Sequence, residues 1–324
     1  MASGPQMGDC RAMKTSTLMT VLSAALLAGC PGNQDTGDTS DTSPDTSDVP
    51  CEERDADEDG VNACDDCDDA DPDVFPGAPE RCNGLDDDCD GEIGPGEQDT
   101  LGDGAPDCLA CEEAGYWEIS QNTADNDLAD TLADEMSGLR CNYSDTAAWM
   151  FTRLDNHSST VECVYTGRTT TVTNTRPDPN NDMNVEHTWL QSEGADVIPM
   201  RCDLHHLFPT DVTANQTRSN LPFGIVSGSI DWQQGGSKKG NDSSGDDVFE
   251  PRDEHKGNVA RAMLYMSMEY GWSLPNDQID LFIDWHHADP IDAAEIERSL
   301  DIAEHQSFAN PLVTCPDMVD RIFD

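Results

Sequence analysis

Seven of the thirteen cysteines lie between Cys51 and Cys111, in a stretch that is also rich in aspartate and in Asp-Gly steps. A segment built this way has to be held by cross-links or by bound cations, because its acids repel one another. Disulfides persist only outside the reducing cytoplasm, so the cysteines already point to export. Four more, Cys141, Cys163, Cys202 and Cys315, follow in the rest of the chain. With Cys10 and Cys30 set aside eleven remain. That number is odd, so one thiol is free, pairs elsewhere or binds metal.

Acidity extends beyond this region. Across 324 residues the net charge is −49, from 66 acids and 17 Lys+Arg. Residues 31–111 hold 27 acids and 2 bases, and residues 112–324 hold 38 and 13, a net −25 for the latter. Such a surface repels phosphates, which argues against simple electrostatic capture of nucleic acid. It suits divalent cations, or surroundings salty enough to screen the repulsion.

The N-terminus is an export address. From Met13 a basic start at Lys14 leads into an apolar run too short to span a bilayer. The run ends in Leu27-Ala28-Gly29-Cys30, which resembles the bacterial lipobox. The resemblance implies that residues 1–29 are removed and that Cys30 carries lipid, anchoring the chain to a membrane surface. Residues 30–50, rich in Thr, Ser, Asp and Pro, have no hydrophobic period and read as a tether.

Within residues 51–111, DADEDG sets Asp55, Asp57 and Asp59 at alternate positions before Gly60. DDDCDG repeats the pattern with Asp86, Asp88 and Asp90 before Gly91. Acids at the first, third and fifth places with glycine at the sixth match the spacing of a calcium loop. Asp66 stands where the first loop would take a bidentate glutamate, and no helical period flanks either loop. The stretch DCDDADPDVFPGAPERCNGLDDDCDGEI, residues 66–93, resembles the MopE-type metal-binding repeat of secreted bacterial proteins. Copper is the metal named for some members, but an all-oxygen donor set favours Ca²⁺.

From residue 112 the composition becomes that of a globular α+β domain running to residue 324. Helical periods cover 128–136, 258–272 and 292–306, and β-branched alternation makes 159–167 a strand. NVEHTWLQS (184–192) contains the pair Glu186-His187 at a strand end. Neighbours on a regular strand point to opposite faces, so one shared site requires a local irregularity there. DLHHLFPTDVTANQTRSNLPFG (203–224) reads as a strand over Asp203–Phe208, broken by Pro209 and Thr210. A short helix capped by Thr210 or Asp211 follows, with Asn215 and Arg218 on one face. The order is strand, loop, strand, helix: a ββα unit.

These segments, with FEP (249–251), KGNVARAMLYM (256–266) and DWHHADPIDAAEIERSL (284–300), resemble the bacterial endonuclease I family. The resemblance covers residues 112–324 and implies a His-Me finger (ββα-metal) nuclease acting on DNA and RNA with little sequence specificity. It implies that His187 is the general base and that Glu186 and Asn215 bind Mg²⁺. Leu190 stands where a proline is common, and Ser299 where an asparagine is frequent. A neutral imidazole can take a proton from water near pH 7, and Mg²⁺ needs only one or two protein oxygens. Arg218 and Arg201 are the candidates for a phosphate clamp. A basic patch of Arg201, Arg218, Lys238, Lys239, Arg252, Lys256 and Arg261 would offset the acidity. The expected species is a monomer.

His205-His206, as strand neighbours, should place at most one ring inward, His205 being the structural one; His286-His287 read as packing or surface residues. Two competing readings are a catalytically inactive calcium-binding surface lipoprotein and a zinc hydrolase built from these histidine pairs.

Overall fold

The most deeply buried helix, Lys256–Tyr270, forms the centre of the structure. In this computed structural model, residues 50–91, 93, 106–178, 182–315 and 317–324 are described. The signal segment, Cys30 and the tether up to residue 49 lie outside the described residues.

Helices α1 (Leu109–Glu113), α2 (Trp117–Asn122), α3 (Asp125–Met136) and α4 (Tyr143–Trp149) come first, α4 running on into a π-helical turn, Met150–Leu154. Strands β1 (Thr160–Glu162) and β2 (Thr169–Thr171) form a short antiparallel pair. Strands β3 (Met183–His187) and β4 (Leu207–Asp211) form a second, followed directly by α5 (Val212–Arg218). Strands β5 (Ile230–Gln234), β6 (Ser237–Asn241) and β7 (Asp247–Glu250) make a three-stranded antiparallel sheet. Helices α6 (Lys256–Tyr270), α7 (Asn276–Ala288), α8 (Ala293–Gln306), α9 (Pro311–Thr314) and α10 (Met318–Phe323) complete the chain. The architecture is mixed α+β, as the sequence suggests.

Helix α6 packs on α7 and α3. It buries Val259, Ala260, Leu264, Tyr265 and Met266 completely, so it is covered on nearly all sides rather than along one stripe. It stops at Gly271, whose φ of +64° gives the left-handed cap that a residue with a Cβ adopts only at a cost. Helix α8 starts at Asp292, whose carboxylate accepts from the Glu295 N–H at 2.8 Å.

Three local expectations are corrected. The strand expected over 159–167 is confined to Thr160–Glu162; beyond it the chain turns, with the Gly167 N–H on the Cys163 carbonyl. Pro209 and Thr210 do not break β4 but lie inside it, opposite Val185 and Asn184. Proline is tolerated because its missing N–H belongs to the open edge, where its carbonyl still accepts from the Val164 N–H at 3.0 Å. Asp211 does occupy the N-cap of α5, but its carboxylate is taken by Thr166 and Arg168 and makes no cap bond.

Cross-links tie distant segments together. Cys111–Cys315 joins α1 to the end of α9, and Cys141–Cys202 joins the entry of α4 to the turn before β4. Cys51–Cys64, Cys67–Cys89 and Cys82–Cys108 staple the acidic region. The odd cysteine is Cys163, a buried free thiol whose sulfur accepts the Asp211 N–H at 3.0 Å.

Asp203 pins the turn that leads into β4. It is fully buried and accepts from the hydroxyls of Tyr265 (2.8 Å) and Tyr270 (2.7 Å) and from the His205 N–H (3.0 Å). From α8, Arg298 pairs with Asp155, packs over Phe208 and donates to the Leu204 and Leu207 carbonyls. Close to Asp203, burial and then the Asp203 charge push the Glu269 carboxyl up to about 8. The folded state therefore holds this proton more tightly than the unfolded chain does, so stability falls as pH rises from about 4.5 to about 8. Glu269→Gln should remove that slope: its melting temperature should match wild type near the lower pH and exceed it above pH 8. Thermal unfolding across this range, with parallel curves for the two proteins, would contradict the assignment.

Candidate active site

Strand β3 delivers Glu186 and His187 as its last two residues, paired with Phe208 and Leu207 of β4. The β3–β4 register runs without a shift, so the expected irregularity at the pair is absent. The side chains leave on opposite faces, as alternation requires. Both are nonetheless buried, Glu186 at 1% and His187 at 9% exposure, because the two-stranded ribbon is covered on both sides.

On one face Glu186 Oε1 accepts from the Tyr165 hydroxyl at 2.8 Å and faces Arg218 Nε at 3.4 Å. Burial pushes the carboxyl above its ordinary range, against the lowering influence of Arg218 and the tyrosine bond. The same carboxylate and its own burial hold Tyr165 protonated far above the normal phenol range. Arg218, only 2% exposed, donates to the Thr188 carbonyl at 2.9 Å and the Ser219 carbonyl at 3.1 Å, and lies 4.5 Å from the Phe223 ring centre. Asn215, one turn earlier on α5, donates from Nδ2 to Asn184 Oδ1 and to the Val185 carbonyl, both at 3.0 Å. These bonds fix the amide beside the residue preceding Glu186 and leave Oδ1 as the outward acceptor.

On the other face His187 Nε2 lies 3.2 Å from the Arg201 carbonyl. A carbonyl only accepts, so Nε2 carries the hydrogen and Nδ1 keeps the lone pair. Nδ1 makes no hydrogen bond among the described residues. Gln191 Nε2 also lies 3.1 Å from His187 Nε2; two N–H groups cannot bond each other, so this tautomer takes the Gln191 amide turned with Oε1 toward the ring. The rings of Tyr143 and His206 stand 5.6 and 5.5 Å away. Burial, and then His206, push the His187 imidazole down to about 3, so it is neutral at physiological pH.

His205 and His206 lie in a 3-10 turn, Leu204–His206, not on a strand, and both are buried. The turn's tighter rotation removes the alternation that would have sent one outward. His205 meets the Phe308 carbonyl at 3.1 Å and packs on Tyr265, the structural role expected of it; His206 meets the Met200 carbonyl at 2.7 Å. His286 is buried against Arg261, and His287 is exposed beside Asp320. Among the described residues no cluster with metal-ligand spacing includes a histidine, so the histidine pairs form no zinc centre. Tyr165, Gln191, Tyr143 and His206 surround the pair without any signal in the local sequence. Tyr165 and Tyr143 come from segments distant in the chain and His206 from a turn misread as strand, while Gln191 follows four residues after His187.

Chemistry and the widest described cleft do not coincide. That cleft, about 770 Å³, is lined by Leu190, Arg218, Phe223 and Leu281 with Asp242, Asp246 and Asp277 at its margin, and by neither Glu186 nor His187. Its acids would repel an anionic ligand, and the strand end bearing Glu186 and His187 is the candidate site.

The acidic module has its own candidate centre. Asp55, Asp57 and Asp59 converge, with Gly60 at φ +102° allowing the turn. Asp55 accepts from the N–H groups of Glu58 and Gly60, and Asp59 from that of Val61. Asp57 Oδ2, Asp59 Oδ2 and Asp66 Oδ2 are buried with no hydrogen-bond partner among the described residues. Desolvation, and then the Asp59, Asp66 and Asp55 charges, push the Asp57 carboxyl up. The second loop differs from expectation: Glu80, Asp86 and Asp88 converge there, and Asp90 is not among them. Glu80 approaches from the preceding segment, its carboxylate accepting from the Asp88 N–H at 3.0 Å, which spacing alone could not reveal. Cys67 and Cys89, although near Asp66, are joined to each other and offer no thiolate.

A metal-binding motif of the MopE type matches residues 66–94. An extracellular ribonuclease of Bacillus amyloliquefaciens is 34% identical over 166 residues, covering 44% of this chain and 54% of its own length. An extracellular deoxyribonuclease of Aeromonas hydrophila is 34% identical over 114 residues (35% and 49%), and a periplasmic deoxyribonuclease of the same organism 33% over 121 (37% and 51%). The chain thus spans about half the length of the curated relatives it matches. The family model for Endonuclease I matches residues 121–317, and with that match across the ββα unit and the helices around it, the chain belongs to the endonuclease I family.

Proposed function

We propose that this protein is an exported, Mg²⁺-dependent endonuclease hydrolysing phosphodiester bonds of DNA and RNA with little sequence specificity, on a His-Me finger formed by β3, β4 and α5. The observation that carries the reading is the imidazole of His187. It is neutral, its Nε2 lies 3.2 Å from the Arg201 carbonyl and its Nδ1 makes no hydrogen bond among the described residues, at a strand end whose other face carries Glu186. Ribonucleases and deoxyribonucleases both occur among the relatives, which supports the broad substrate range. Their extracellular or periplasmic placement and the five disulfides among the described residues support export. Lipid attachment at Cys30 and a monomeric state remain parts of this proposal.

The residues fit a small hard cation. Glu186 and the Asn215 Oδ1 would hold it, and both are oxygen donors of the kind Mg²⁺ takes. Near the pair, Thr188 Oγ1 and, on the His187 face, His206 Nδ1 are buried without hydrogen-bond partners among the described residues, polar capacity that hydrated contents would use. When bound, the cation supplies Lewis-acid stabilisation of the phosphorane and the leaving oxygen. The chain's own part begins with a phosphodiester laid across the end of β3. His187 Nδ1 takes a proton from water as the water oxygen bonds to phosphorus and the ester oxygen departs with its electron pair. The Arg201 carbonyl holds the ring in the required tautomer throughout. Arg218 does not reach the phosphate in this reading; it orients Glu186 and offsets its charge.

Residues 51–93 form a Ca²⁺-binding module in this proposal, with Asp55, Asp57, Asp59 and Asp66 in the first loop. The unpartnered oxygens of the last three support it. An inactive calcium-binding lipoprotein is the second reading, supported by those same oxygens.

His187→Ala should lower kcat on plasmid DNA and on RNA by about 10²–10⁴-fold while leaving the unfolding transition in place. Chelation should silence wild type and Mg²⁺ restore it. A wild-type protein as inert as the variant, with both substrates, would leave only the binding role. Separately, Ca²⁺ at 100 times its Kd should stabilise the protein by about 2.7 kcal/mol, and Asp66→Asn should lose most of that gain. Calorimetry showing equal melting shifts for both proteins would exclude Asp66 as a ligand.

A further inference from the structure

Most of the basic side chains expected to form a patch are neutralised inside the protein. Arg218 faces Glu186, Lys238 and Lys256 share Glu250, Arg252 pairs with Glu162, and Arg261 with Glu295. Glu250 is itself buried, and against that burial Lys256, the Val226 N–H and Lys238 hold its carboxyl below the ordinary range. Among the described residues the cations without an ion pair are Arg140, Arg153, Arg176, Arg201 and Lys239. Two of these five meet at one aromatic ring. The Arg201 guanidinium lies 4.6 Å from the centre of Tyr143, and that of Arg176 lies 5.8 Å from it. The Tyr143 ring in turn stands 5.6 Å from His187.

Their convergence has a covalent cause. Cys141–Cys202 ties the segment two residues before Tyr143 to the residue after Arg201. The Arg201 backbone carbonyl holds the His187 ring, while its side chain is exposed. One residue thus faces the base with its main chain and solvent with its charge. Arg176 reaches the same ring from the β2–β3 connection and also lies 5.9 Å from Phe151. Its Nε is buried without a partner, so its remaining donors are the ones available to a ligand.

We infer that Arg176 and Arg201, held in place by Tyr143, form the anion-capturing platform of this nuclease and grip internucleotide phosphates flanking the bond that His187 attacks. The inference rests on the nuclease reading and adds to it where substrate strands meet positive charge. A domain with a net −25 over residues 112–324 has few such positions. A ring shared by two guanidinium groups narrows their freedom before the substrate arrives, so less ordering is needed on binding. Tyr143 is a positioning residue here; the arginines make the contact.

The test combines turnover and binding in the full chain with Mg²⁺. Arg176→Gln and Arg201→Gln should each raise KM about tenfold, with kcat within about twofold of wild type. Each should also flatten the dependence of log Kd on log salt by about 0.7 for a single strand. Fluorescence anisotropy with a labelled oligothymidylate supplies Kd. Tyr143→Phe should behave as wild type and Tyr143→Leu as a weaker form of the arginine variants. Arg153→Gln, an unpaired cation away from this ring, should change neither quantity. A wild type that cleaves, with arginine variants matching it in KM and salt slope, overturns the platform while leaving the nuclease reading intact. A wild type that does not cleave overturns the nuclease reading. Anisotropy then still judges the platform, which fails if the variants bind the oligonucleotide as wild type does.

Discussion

A buried arginine facing a buried glutamate sets the geometry of the whole candidate site. Arg218 and Glu186 are both 2% or less exposed, and neither charge can be left alone at that depth without a large desolvation penalty. Arg218 donates to the Thr188 and Ser219 carbonyls, so the charge pair also fixes where β3 ends and how α5 leaves. Asn215 reaches β3 from the same side of α5, which locks helix to strand at a second point one turn away. Breaking either partner would strand a charge and loosen the helix, so structural and chemical roles cannot be separated at this pair.

The adjacent residues of the Glu-His pair serve different faces, and this resolves the conflict their spacing raises. A ribbon of two strands has no layer of its own, so it becomes an interior element only when both faces are covered. Tyr165 and Arg218 cover one, while Tyr143, His206 and the Arg201 carbonyl cover the other. No bulge is needed, because the strand ends at His187 and a ligand lying over that end is within reach of both faces. Regular alternation divides the chemistry: an ionisable oxygen on one side, a nitrogen base on the other.

Sequence carried the order of elements because that depends on local pattern. The helical periods at 128–136, 258–272 and 292–306 fall within one to three residues of the observed helices. The ββα order at 184–218 is likewise present. What local pattern could not carry is partnership across the chain. Glu186 and Tyr165 are distant in sequence and meet only through tertiary packing, and Arg201 meets Tyr143 through the Cys141–Cys202 cross-link, whose pairing local pattern does not show. Pro209 misled for a related reason. Its strand-breaking tendency assumes a ladder on both sides, whereas β4 pairs continuously only with β3. Glu80 went unnoticed because a cation loop recruits oxygen by proximity, and proximity there depends on the disulfides.

Charge is the remaining constraint, and it divides the molecule by function. Positive groups in most of the fold are spent on internal acids: Arg261 on Glu295, Arg298 on Asp155, Lys256 on Glu250. Such pairs leave the outer field negative. A polyanionic substrate approaching this surface is repelled at long range, and within a screening length of about 8 Å at physiological salt only local charge matters. Arg176 and Arg201 both lie inside that range of the Tyr143 ring, which stands 5.6 Å from His187. The acidic module adds to the repulsion when empty, and each divalent cation it binds removes two negative charges from the field. Calcium, in the reading proposed above, would therefore do more than order residues 51–93: it would ease the approach of phosphates to a site whose own attraction is confined to two arginines.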